Sequence, residues 1–123
     1  MSGSSYIGIP GSTAYAYFYI YLSGNLSMSG TSYMANYNLY NYIYFNNTSS
    51  TTASPQTITY SSTSTANTYN DFYVNSGCVV QLNSNFAMLG SSSLSAGSYG
   101  LFNVSGTLIC QTYSITDLSL IHI

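Results

Sequence analysis

The sequence predicts a single all-β domain, an antiparallel β-sandwich of about eight strands, and three observations carry that prediction. Tyrosine and aliphatic residues alternate with period two over long stretches, the pattern of a strand with two unlike faces. Short β-like runs recur along the chain with Gly, Asn and Ser turn material between them. Nothing repeats at the helical period, and the strong helix formers Glu, Lys and Arg are absent. At 123 residues the chain is one domain's worth.

The elements follow in order. Residues 1–13 read as an N-terminal arm, in which Ile7, Ile9 and Pro10 are apolar enough to dock on the chain's own sheet or on a neighbour's exposed edge. Residues 14–117 form the sandwich domain. From Ala14 to Leu22 the odd positions Tyr15, Tyr17, Tyr19 and Tyr21 line one face, and Ala14, Ala16, Phe18, Ile20 and Leu22 the other. The pattern returns from Tyr37 to Phe45, with Tyr40, Tyr42 and Tyr44 opposite Leu39, Ile43 and Phe45, interrupted by Asn41. Residues 46–66 are Ser/Thr-rich and read as a surface loop region embedding one short strand, Gln56–Tyr60. Further β-like runs are Thr68–Val74, Cys78–Leu82, Asn85–Leu89, Tyr99–Val104 and Thr107–Ile115, with Asn83-Ser84 reading as a tight hairpin connection. Residues 118–123 form an apolar C-terminal tail, a second candidate intersubunit arm. Eight strands favour a jelly roll. An immunoglobulin-like sandwich comes second, because the chain has no Trp for the buried position of that fold.

Charge depletion is the dominant feature of composition. Lys and Arg number 0, the acids are Asp71 and Asp117, and His122 is the single histidine. Charged residues make up 2% of the chain, against about 25% in an ordinary soluble domain. Ser, Thr and Asn (24, 13 and 12 residues) and 15 Tyr supply the polarity instead. Without cations the chain cannot neutralise phosphates, which excludes nucleic acid as an expected partner, nor can it be drawn to anionic lipid. The longest apolar run, Ala14 to Leu22, is too short for a spanning helix, so no membrane insertion is expected. Met1-Ser-Gly-Ser-Ser-Tyr6 carries neither the basic nor the apolar region of a signal peptide.

Catalysis is not expected. His122 with Asp71 or Asp117 and any serine makes a formal triad, but no Gly-x-Ser-x-Gly elbow accompanies it. One His, two Cys and two Asp spread along the chain lack metal-ligand spacing, and no cofactor is implied. Cys78 and Cys110 form an even pair in strand-like runs, for which a disulfide of about 3–4 kcal/mol is expected. Two inert buried thiols are the alternative. The sequons at Asn25, Asn46, Asn47 and Asn103 are candidate N-glycosylation sites, in number no more than chance supplies.

The seven tyrosines at 15, 17, 19, 21, 40, 42 and 44 read as a subunit interface, because rigid amphipathic rings are enriched where proteins meet. A sugar-binding platform is the competing reading, and surface glycans are a possible partner on that reading. Charge depletion also leaves almost nothing to titrate in acid, so stability should barely change there. In this respect the whole chain resembles the surface proteins of acid-dwelling archaea and their viruses, which include Ser/Thr/Tyr-rich extracellular filaments joined by donor strands and virion proteins built on jelly rolls. The sequence departs from the filament families in lacking a leader, and from type IV pilins in lacking a long apolar N-terminal helix. The resemblance implies a non-enzymatic structural subunit, homo-oligomeric or polymeric, alone or with other coat proteins. Its expected place is the surface of an extracellular particle: first a virion coat or surface protein, then a secreted filament subunit. A carbohydrate-binding or adhesive module is the third reading.

Overall fold

The computed structural model describes residues 6–7, 16–34, 39–62, 69–87, 101–116 and 120–122. Strands β1 (Tyr6–Ile7), β2 (Ala16–Leu22), β3 (Leu26–Gly30) and β4 (Tyr33–Met34) come first, then β5 (Leu39–Phe45) and β6 (Gln56–Ser62). They are followed by β7 (Tyr69–Val74), β8 (Val79–Leu82) and β9 (Phe86–Ala87), by β10 (Leu101–Val104), β11 (Thr107–Ile109) and β12 (Ile115–Thr116), and by β13 (Leu120–His122). The two alternating tyrosine runs are the long strands β2 and β5. Among the described residues no helix is long and apolar enough to cross a membrane.

Every pairing between these strands is parallel. One sheet has the order β13-β10-β7-β5-β2 and a second the order β11-β8-β6-β3. β1 pairs with β4, and β9 with β12, along a third side. The chain thus runs from a strand of the first sheet round a corner into the second, and each later pass stacks on the one before. This is the winding of a parallel β-solenoid. The expected antiparallel sandwich, jelly roll or immunoglobulin-like, is not what forms. Parallel neighbours need a long crossover, and here the strands of the other sides provide it in place of helices.

Several expectations change for that reason. Asn83-Ser84 does not close a hairpin; it turns the corner from β8 to β9, with the Asn83 N–H donating to the Ile58 carbonyl of the adjacent coil (2.8 Å). The run Thr107–Ile115 divides into β11 and β12 at a turn in which the Tyr113 N–H donates to the Cys110 carbonyl (2.8 Å) and Gln111 takes φ 51°. The expected arm pairs within the chain at Tyr6–Ile7, Ile7 lying opposite Met34, while Ile9 is outside the described residues. The tail pairs through Leu120–His122 with β10. The strand in the Ser/Thr-rich region is β6, an inner strand of its sheet.

Corners decide the shape of each coil. Ser105-Gly106 turns the corner from β10 to β11, and both N–H groups donate to the Val74 carbonyl at 2.9 and 3.0 Å. A Cβ on Gly106 would collide with the Asn75 and Cys78 carbonyl oxygens, so only glycine fits. The corner from β5 to β6 is longer and spans residues 46–55. There Ser50 is buried, its hydroxyl donating to the Asn47 carbonyl (2.6 Å) and accepting from the Val79 N–H (2.7 Å). Gln56, also buried, donates its amide to the Leu22 and Gly24 carbonyls (2.9 and 2.7 Å) and accepts from the Asn47 N–H (3.1 Å), tying two successive corners together.

The core lies between the sheets and runs along the stack. Ile43, Phe45, Phe72, Val74 and Phe102 come from the first sheet, Leu26, Met28, Ile58, Val80 and Leu82 from the second. Phe86 of β9 closes the third side, its ring edge-on to Phe72 (5.0 Å) and Tyr60 (5.1 Å). Phe72 and Phe102 stack on successive coils at 5.7 Å.

Cys78 and Cys110 carry free thiols, so the expected disulfide does not form. The register explains why. Val79 pairs with Thr107 and Ile109 with Gln81, which puts Cys78 before one end of the strand pair and Cys110 beyond the other. Four residue steps along the strands separate the two positions, about 13 Å, where a disulfide needs Cα atoms within about 7 Å. Burial also pushes the Cys78 thiol up from its ordinary value.

Candidate functional site

The outer face of the first sheet is the most distinctive surface of the molecule. Because paired strands are parallel and in register, like side chains fall in columns across the coils. Tyr17, Tyr40 and Tyr69 occupy one column by register. Tyr19, Tyr42 and Asp71 occupy the next, and Tyr21, Tyr44, Tyr73, Asn103 and His122 the third.

Within the columns the rings stack. Centroids are 5.1 Å apart for Tyr19–Tyr42, 5.0 Å for Tyr21–Tyr44 and 4.7 Å for Tyr44–Tyr73, with planes within 16° of parallel. Those spacings match the separation of hydrogen-bonded strands, about 4.8 Å. The rings therefore stand side by side across the sheet, face against face. A ladder ring spends its faces on its neighbours, so open ring face is concentrated on β2, an edge strand among the described residues. Tyr17, Tyr19 and Tyr21 are 58%, 58% and 63% exposed, whereas Tyr42, Tyr44 and Tyr73 are half-buried.

Electrostatics on this face centre on Asp71. Its carboxylate accepts the Leu101 N–H at 2.9 Å, yet half-burial among tyrosines outweighs that bond and lifts its pKa above the ordinary value. Tyr73 is pushed up to about 12, first by burial and then by the charge of Asp71 and by Tyr44, Tyr42 and Tyr19. Tyr44 moves the same way, again mainly through burial. The face is accordingly an array of phenol groups with one described carboxylate, Asp71, among them. It can stack and exchange hydrogen bonds, and no Lys or Arg offers a cation for an anionic ligand.

The structure brings six of the sequence-predicted tyrosines onto this face: 17, 19 and 21 on β2, and 40, 42 and 44 on β5, Tyr40 by register. Tyr15 lies outside the described residues. Sequence reasoning missed Tyr69, Asp71 and Tyr73, which extend the same columns, although period two in Tyr69–Val74 carried that signal. The sequon residues do not gather. Asn25 is exposed at the corner after β2 and accepts the Thr57 N–H (2.9 Å), and Asn46 and Asn47 follow β5. Asn103 stands in the third column beside Tyr73.

The other chemistry-bearing residues remain scattered. His122 lies two strands from Asp71 and in a different column, and Asp117 is outside the described residues. Among the described residues no three His, Cys, Asp or Glu side chains come together as a metal site. No protein-family model, curated protein or solved structure matches the chain.

Proposed function

We propose that the chain is a non-enzymatic structural subunit of an extracellular assembly, a coat or surface component of an acid-exposed particle. One observation carries this reading: the outer face of the first sheet is a tyrosine ladder, with Asp71 its one described acid, ending on a strand whose rings are more than half exposed. Exposed aromatic patches of this kind mark protein contacts, and with a formal charge of −2 and no Lys or Arg the copies repel one another little. Stacked coils extend naturally along one axis, which supports the filament form beside the virion form.

A sugar-binding module is less well supported by the ring geometry. Pyranose stacking needs free ring faces, and the inner rungs of the ladder have theirs occupied. Light scattering and negative-stain imaging of the purified chain at pH 3 and pH 7 test the proposal. Ordered oligomers or polymers are expected; a monomer at every concentration that is retarded on a glycan column would overturn it in favour of sugar binding.

A further inference from the structure

We infer that the edge strand β2 is a self-association surface whose occupant is a second copy of the chain, β2 pairing antiparallel with β2 about a two-fold axis through Tyr19. This deepens the subunit reading and rests on it.

β2 is incompletely covered on both faces at once. No described strand lies beyond it in the first sheet. On the outer face Tyr19 and Tyr21 each stack on one ring, Tyr42 and Tyr44, and remain 58% and 63% exposed. On the inner face Ile20 and Leu22 are only half-buried, while their register partners Ile43 and Phe45 are both at 0%. One added strand would cover rings and aliphatics together.

The sequence of the edge does nothing to repel such a strand. Natural edges are blunted by Lys, Pro, inward charge or a bulge. β2 reads Ala-Tyr-Phe-Tyr-Ile-Tyr-Leu, with no charge and no proline, paired residue for residue with β5.

The identity of the occupant follows from symmetry. About Tyr19 the strand is self-complementary in character: Tyr17 would face Tyr21 of the other copy, Phe18 would face Ile20, and Ala16 would face Leu22. Antiparallel pairing in this register keeps tyrosines on one side and apolar residues on the other, so the contact is isologous. It repeats between copies what β2 and β5 already do within one, ring upon ring and aliphatic upon aliphatic. A sugar would cover the rings and leave the inner aliphatics and the backbone edge open.

Cysteine cross-linking of the full chain in a Cys110→Ser background reads the register directly. Tyr19→Cys places two thiols opposite each other across the axis, within disulfide reach, and should give a disulfide dimer under mild oxidation. Tyr21→Cys faces position 17 of the other copy and should cross-link at least tenfold less. Tyr19→Lys, a change at an exposed position, should abolish the contact while the circular dichroism of the fold is kept. An assembling wild type with equal cross-linking at both positions, with none at position 19, or with Tyr19→Lys still fully associated overturns the β2 contact and leaves the subunit reading standing. A wild type that stays monomeric overturns both. A monomer whose glycan retention is lost in Tyr19→Lys assigns the edge to sugar instead.

Discussion

β2 and β5 are nearly the same strand in two places. Both are seven residues long, both alternate tyrosine with core-facing residues that are apolar except for Asn41 of β5, and they pair with each other throughout. Yet Ile43 and Phe45 of β5 are fully buried, while Ile20 and Leu22 of β2 are half-buried. The difference lies in the number of neighbours. β5 has a coil on each side, and β2 has one on one side only among the described residues. In a stacked fold each rung borrows part of its burial from the rungs above and below it, so like sequences acquire unlike stability by position.

Truncation of matched side chains should expose that difference most strongly. Phe45→Ala should cost about 3–5 kcal/mol, because a fully buried ring leaves a cavity. Leu22→Ala, at the register-matched position on β2, should cost about 1–2 kcal/mol, since less apolar area is withdrawn from water. Denaturant midpoints of the two variants check this. Equal losses would show that β2 is as enclosed as β5.

A smaller effect is expected at the tie between the end coil and the next. Gln56→Ala removes the donor to the Gly24 carbonyl and one of the two donors to Leu22, whose carbonyl keeps the Asn46 N–H (2.9 Å). The cost should be about 1–3 kcal/mol. Amide hydrogen exchange should rise in β2 and at the corner after it more than in β5, sharpening the contrast between end and middle.

The smallest effects belong to pH, and they separate two columns of the ladder. Burial raises the folded pKa of Asp71 above its unfolded value, so the folded state holds that proton more tightly. The contribution is present in full below the unfolded pKa and is lost as pH rises through the folded one. The chain should therefore be slightly more stable near pH 3 than at pH 7, and Asp71→Asn should flatten that slope in thermal melts. Tyr73 acts likewise at the alkaline end. An unfolded tyrosine ionises near pH 10 and this one near about 12, so stability should fall as pH rises across that interval. A phenolate absorbance titration should show a late-ionising fraction that Tyr73→Phe removes.

Much of this was legible in the sequence. Period two in Ala14–Leu22 and Tyr37–Phe45 placed β2 and β5 and sorted their residues into a tyrosine face and a core face, because a strand's side chains alternate whatever it pairs with. The same alternation in Tyr69–Val74 held the rest of the ladder. The corner glycine at Gly106 was legible as a turn. The disulfide was not: Cys78 and Cys110 both sit beside strands, but their separation depends on a register that neither run encodes locally.

What the sequence determined by itself was local: an all-β chain, the two faces of its long strands, and surfaces almost without charge. Only the tertiary structure decided that the strands are parallel. Alternation with one solvent-facing side is the usual mark of antiparallel sheets, because parallel sheets are normally covered on both faces by helices. A solenoid escapes that rule by using its own strands as crossovers, and the choice is made by contacts between residues a full coil apart. Those contacts also stacked the tyrosines into a ladder and left its last described rung, on β2, partly open.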